Sequence, residues 1–209
     1  MSSSTIVSDW FGPHFSALYP LLQELHLQGG MLKGEVQLGF GRGAAGWLGR
    51  RLARKMGLPA RASRLPLQVD ISHSPDALVW ARQFGGEPLP MVSQFEPIGR
   101  WPDGHWRERT GALRFKLTVD VQDGGWSGRV LGASLHGLPV PVGLLPRSHA
   151  FKRVEGGAYR FEVALIAPVL GRLLSYGGLL QCQARAISAP PSSPADSRRP
   201  ESGAGESAG

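Results

Sequence analysis

Cysteine occurs once in 209 residues, at Cys182. A single thiol excludes an internal disulfide framework and the multi-cysteine sets of structural zinc sites. It lies in an apolar run beside Leu179 and Leu180, the setting of a small buried hydrophobe rather than a reactive thiolate. Long hydrophobic runs are missing too. No stretch reaches the roughly 18 apolar residues of a membrane-spanning helix, and Met1–Ser8 lacks the basic start and apolar run of a secretory leader. The expected location is the cytoplasm, with peripheral contact at a membrane left open. Catalytic signatures are equally scarce. His14, His26, His73, His105, His136 and His149 form neither H-x-x-x-H nor H-E-x-x-H. There is no G-x-S-x-G elbow and no strand leading into a G-x-G-x-x-G turn. Neither a metal nor a cofactor is expected.

Acidic residues are missing from one segment. Between Arg42 and Arg64 lie Arg42, Arg50, Arg51, Arg54, Lys55, Arg61 and Arg64 with no carboxylate among them, and these seven equal the whole formal net charge of +7. The basicity is therefore local. Ala44–Met56 has helical spacing, with Ala45, Leu48, Leu52 and Met56 on one face, Arg50 and Arg54 opposite, and Trp47, Arg51 and Lys55 flanking. Gly57 supplies the C-terminal cap and Pro59 the stop. Two readings stand. The helix covers a sheet and solvates its arginines, or Arg50, Arg51 and Arg54 dock it on an anionic surface, either headgroups or a partner. Nucleic acid is not expected, because the strands offer no basic and aromatic platform and no helix-turn-helix spacing occurs.

What is abundant is glycine (29) and proline (17), which favour many turns and short strands. Leu113, Phe115, Leu117, Val119 and Val121 alternate with Arg114, Lys116, Thr118 and Asp120, the period of a half-buried strand. Gln122–Gly125 reads as a tight reversal, followed by a strand over Trp126–Leu135 and a Pro/Gly-rich link to Pro146. Tyr159, Phe161, Val163 and Leu165 share a face of a further strand, and Leu173–Cys182 forms the last. Upstream, a helix starting near Pro20 ends at Gly29-Gly30, and Leu32–Phe40 alternates as a strand. Shorter strands fall at Leu67–Ile71, Asp76–Phe84, Met91–Ile98 and His105–Thr110. Asp103, His105 and Glu108 cluster at a hairpin tip and read as a solvated turn. His26, at a helix end, reads first as an imidazole serving the last carbonyls and the helix dipole. Residues 1–8 read as a frayed start with Ser8 or Asp9 as the first cap, and 9–182 as one globular domain. Residues 183–209 read as a disordered tail too poor in apolar residues to offset its ordering entropy.

Several landmarks fall in one order. They are Leu25-His26, the basic helix closed by Gly57-Leu-Pro59, Trp80-Ala-Arg-Gln-Phe-Gly-Gly86, and the strand at Leu113. Gly137-Leu-Pro-Val-Pro141, Leu145-Pro-Arg147, Tyr159-Arg-Phe-Glu-Val163, Pro168-Val-Leu-Gly171 and Tyr176-Gly-Gly178 follow. In this order they resemble the bacterial family catalogued as domain of unknown function 4166, over about Asp9–Cys182. The family has no established activity. Its members occur alone or joined to nicotinamide-cofactor-binding domains, so the resemblance implies a separate oxidoreductase as a candidate partner.

The fold expected is α+β, a curved antiparallel sheet or partly closed barrel with N-terminal helices over its concave face. An apolar or lipid-like small molecule held between sheet and helices is the favoured function, with His26, Trp80, Arg82, Phe115 and Tyr176 as candidate contacts. An enzyme subunit beside an oxidoreductase, and a purely structural interaction module without any pocket, are the alternatives.

Overall fold

The computed structural model describes residues 4–61, 63–141, 143 and 145–183. Three α-helices, α1 (Ile6–Phe11), α2 (Pro20–Gln28) and α3 (Gly43–Met56), accompany eleven strands. The strands are β1 (Gly30–Phe40), β2 (Ser63–His73), β3 (Leu78–Phe84), β4 (Met91–Ile98), β5 (His105–Thr110) and β6 (Leu113–Gln122). They continue as β7 (Gly125–Leu135), β8 (Leu138–Pro139), β9 (Arg147–Glu155), β10 (Ala158–Ala167) and β11 (Gly171–Gln183). All pairings are antiparallel, in the order β6-β5-β4-β3-β2-β1-β11-β10-β9-β7, and β6 pairs in turn with β7. The sheet is therefore a closed ten-stranded barrel, with β8 a short appendage on β7. The protein is mostly β. The expected α+β arrangement with helices on a concave face is corrected, because closure turns that face into an interior and leaves the N-terminal helices only an end to cover.

Closure follows from local rules plus two non-local pairings, the long one of β1 with β11 and the short one of β7 with β9. The two-residue turn between β6 and β7 places Asp123 and Gly124 at φ 50° and 73°, the mirror-image geometry that matches strand twist. The return of β7 onto β9 is much shorter, from Trp126↔Lys152 to Gly128↔Ala150. Beyond Gly128 the two strands separate, since β7 stays with β6 while β9 stays with β10.

Registers fix one inward set around the whole wall. Leu32 faces Val69 and Cys182, Val36 faces Gly178, Leu38 faces Tyr176, and Tyr176 faces Val163. Leu32, Ile71, Leu174 and Leu180 are buried to 1 % exposure or less, and each such side chain is worth about 1.5–3 kcal/mol relative to exposure. The outward set on the same strands carries Lys33, Glu35, Arg107, Arg109, Arg114, Lys116 and Asp120, all exposed. Apolar-in and charged-out is the reverse of a lipid-facing barrel. Among the described residues no helix is long and apolar enough to cross a membrane. One assignment on β6 is corrected: Thr118 is buried at 8 % exposure, although the alternation puts it on the wet face.

The N-terminal helices close one end. Thr5, not Ser8 or Asp9, caps α1 through a reciprocal box with Ser8, so ordered chain begins earlier than the composition suggests. Trp10 donates to the Ile98 carbonyl at 3.4 Å and its own carbonyl accepts from the Trp101 amide. Tyr19 N–H donates to Gly124 across the β6–β7 turn at 2.8 Å. Pro20 opens α2 after a 3-10 turn over Gly12–Ala17, as proline at a first helical position does. Thr5 Oγ1 donates to the His26 carbonyl at 3.0 Å and ties the start of α1 to the end of α2.

The basic helix α3 lies outside the wall against β11. Its buried stripe is Ala45, Gly46, Gly49, Ala53 and Met56, while Leu48 and Leu52 are only half-buried. The small residues allow close approach: a Cβ on Gly49 would stand 2.0 Å from the Leu173 carbonyl oxygen. Gly57 takes the left-handed cap at φ 79°, and the buried Met56 and Leu58 follow the chain to the barrel end opposite α1 and α2. At the C-terminus β11 includes Gln183, one residue past the expected domain limit, and 184–209 lie outside the described residues.

Candidate functional site

The barrel interior is not filled. A cavity of about 120 Å³ is lined by Trp80, Arg82, Phe95, Glu108, Phe115, Trp126, Lys152, Tyr159 and Tyr176 among others. A second space of about 50 Å³ adjoins it toward the helical end, where Val7, Phe11 and His26 meet Trp80, Trp126 and Lys152. Gly128, Val130, Ser148 and Ala150 line the larger cavity where β7 and β9 part, so the gap in the wall opens beside it.

Of the residues singled out in the sequence, Trp80, Arg82, Phe115 and Tyr176 border the larger cavity, and His26 and Trp80 the smaller. The structure brings all five to one interior. His26 is not the helix-end imidazole expected. Its ring is 3 % exposed and lies 6.5 Å from the Trp80 ring and 6.4 Å from Trp126, with Nδ1 lacking any protein partner. Burial, then the Lys152 charge and His73, pushes its pKa from 6.5 to about 3, so the ring is neutral.

Arg82, on β3, donates from Nη1 to Ser93 Oγ at 2.7 Å. Ser93 Oγ is 2.6 Å from Thr110 Oγ1, and Thr110 donates to Glu108 Oε1 at 2.7 Å. Thr110 has one hydrogen, already given to the carboxylate, so Ser93 donates to Thr110. Two hydroxyls thus link an interior guanidinium to an interior carboxylate across β3, β4 and β5. Adjacent strands place them: Trp80↔Ser93, Ser93↔Thr110 and Phe95↔Glu108 are cross-strand partners. Glu108 was expected at a solvated tip with Asp103 and His105. Instead it faces inward, because the hairpin reverses before β5 begins at His105.

Lys152 was missed altogether. Its Nζ stands 4.0 Å from the Trp80 ring centre and 3.8 Å from that of Trp126. Among the described residues it forms no ion pair and no hydrogen bond. Burial, reinforced by Arg82 and opposed by Glu108, holds its pKa well below the ordinary lysine value; the two indole faces favour the charged form. Lys152 lines both cavities and also an outer groove beside Tyr19, Asp123 and Arg153. Burial also raises the Tyr159 and Tyr176 phenols, and Tyr159 Oη, Trp80 Nε1 and Trp126 Nε1 have no protein partner.

Arg50, Arg51 and Arg54 lie apart from this interior, on the exposed face of α3. Arg50 stacks over Phe40 at 5.7 Å and Arg51 over Trp47 at 5.8 Å, and Trp47 is 62 % exposed. None of the three pairs with a carboxylate among the described residues. No group of three or more His, Cys, Asp or Glu among those residues is placed to hold a metal ion.

An antiparallel barrel closed around an aromatic-walled space, with charged and hydroxyl groups set into it, belongs to the class of β-barrels with internal cavities. Within that class, this chain belongs to the family described as domain of unknown function (DUF4166), whose sequence pattern matches residues 18–180. The match spans every strand through most of β11 and leaves α1 outside. No curated protein and no solved structure matches the chain.

Proposed function

We propose that this protein binds a compact, largely apolar small molecule inside its barrel, with access through the gap between β7 and β9. The observation that carries this is the interior space itself, walled by Trp80, Phe95, Phe115, Trp126 and Phe161. Interiors of folded proteins are close-packed, and ligand sites are the recurrent exception. With the adjoining space, about 120 and about 50 Å³, the interior suits a ring-sized group or a short acyl chain better than a full-length lipid tail, since a cavity of about 150 Å³ takes a benzene. The unfilled interior weighs against a purely structural module.

The test is titration with a neutral probe, 1-octanol, followed by the fluorescence of the cavity tryptophans. Saturable binding is expected. Gly128→Leu fills the space from the wall, because the nearest atoms to a Cβ there are 3.8 and 3.9 Å away. It should abolish binding and leave the melting temperature within a few degrees. Absence of saturable binding, or binding indifferent to Gly128→Leu in a folded protein, overturns the reading.

A further inference from the structure

Resting on that reading, the geometry points to an anionic head group on the ligand: we infer that the barrel takes a compact carboxylic acid, its carboxylate against Lys152 and its apolar body against Phe95, Phe115 and Trp126. Three interior side chains carry formal charge, and they are not equivalent. Arg82 and Glu108 answer one another through Ser93 and Thr110, so that pair is internally neutralised. Lys152 is left over, set between two indole faces, with no carboxylate or acceptor within ion-pair or hydrogen-bond distance among the described residues, Glu108 reaching it only through its longer-range field.

An uncompensated ammonium enclosed by apolar walls is expensive unless something completes it. The Trp80 and Trp126 faces hold the cation in place without supplying a counter-charge. Arg82 stands over the same Trp80 ring, 5.2 Å from its centre, and one carboxylate, Glu108, answers only one of the two interior cations, so the cavity lining keeps a net positive charge. A cationic ligand is disfavoured on those grounds. A neutral one leaves the ammonium as it is. A carboxylate is the group that removes the imbalance, and Tyr159 Oη and Trp126 Nε1, both without protein partners, are donors at the same cavity or its margin. The other two strand lysines, Lys33 on β1 and Lys116 on β6, point out, whereas Lys152 points in.

The experiment compares octanoate, 1-octanol and octylamine on the full-length protein by calorimetry at neutral pH. Octanoate is expected to bind about tenfold more tightly than octanol, the scale of one charge-assisted hydrogen bond, and octylamine more weakly than either. Lys152→Met keeps the length and apolar contacts of the stem. It should reduce octanoate affinity about tenfold and remove the preference for the acid over octanol. Octanol binding as tightly as octanoate to the unmodified protein overturns the carboxylate inference and leaves the binding-barrel reading intact. So does a folded Lys152→Met that keeps the preference for the acid. Failure of all three probes to saturate overturns both. The wild-type preference needs no variant, so the inference stays decidable if Lys152→Met does not fold.

Discussion

Replacing His26 with leucine removes a titration that folding opposes. In the native state the imidazole is enclosed, 3 % exposed, and its pKa falls from 6.5 to about 3, first through desolvation and then through Lys152 and His73. In the unfolded chain it titrates near its ordinary value. Between these two values the unfolded state binds the extra proton, so stability falls as pH falls from about 6.5 toward 3 and is unaffected above that window. At about 1.4 kcal/mol per pH unit, the ceiling is about 5 kcal/mol across the window, and about 2 kcal/mol is already lost by pH 5. Against a typical total of about 5–15 kcal/mol this is large. The assay is urea denaturation of wild type and His26→Leu at pH 7.5, 6.5, 5.5 and 5. Carboxylates contribute to both profiles and cancel in the difference. The packing change shifts the variant's profile by a constant. The wild type should lose about 2 kcal/mol more than the variant between pH 7.5 and pH 5. Parallel profiles refute the argument, and would mean that His26 can take up a proton in place, with water or a rearranged partner supporting it.

Two further expectations concern α3. Gly49→Ala improves intrinsic helix propensity by about 1 kcal/mol. It also pushes a methyl to 2.0 Å from the Leu173 carbonyl oxygen, so a net loss of about 1–3 kcal/mol is expected from overpacking, read as a lower melting temperature; a stabilised variant would refute the tight docking of α3 on β11. Replacing Arg50, Arg51 and Arg54 together with glutamine should leave the melting temperature within about two degrees, since none forms an ion pair among the described residues. If α3 docks on an anionic surface, the same variant loses sedimentation with acidic vesicles at low salt, where each basic side chain near the surface is worth about 1 kcal/mol. A wild-type protein that ignores such vesicles eliminates that role.

Local chemistry was legible along the chain. The alternation in β1 and β6, the Asp123-Gly124 turn, the start of α2 at Pro20, and α3 with its Gly57 cap all follow from interactions within a few residues. A period shared by neighbours is visible without knowing what they pack against. Five residues named from the chain, His26, Trp80, Arg82 and Tyr176 in the family landmarks and Phe115 in the β6 alternation, lie at the interior. Tertiary structure alone decided the rest. The strand β9 has no hydropathy contrast: Ser148, Ala150, Lys152 and Val154 point in, while His149, Phe151 and Arg153 point out. Its inward face is set by pairing with Phe161 on β10 and Trp126 on β7, partners that no local window contains. A strand's period says which residues share a face but not which face is dry. The same limit hid Glu108, whereas Thr118 lies just past a register shift at Lys116/Leu117 that strict alternation does not contain. Closure of the barrel rests on two pairings that no local window contains, β1 with β11 and the short β7–β9 seam, and only closure turns a greasy sheet face into an enclosed space where Lys152 has no ion-pair partner.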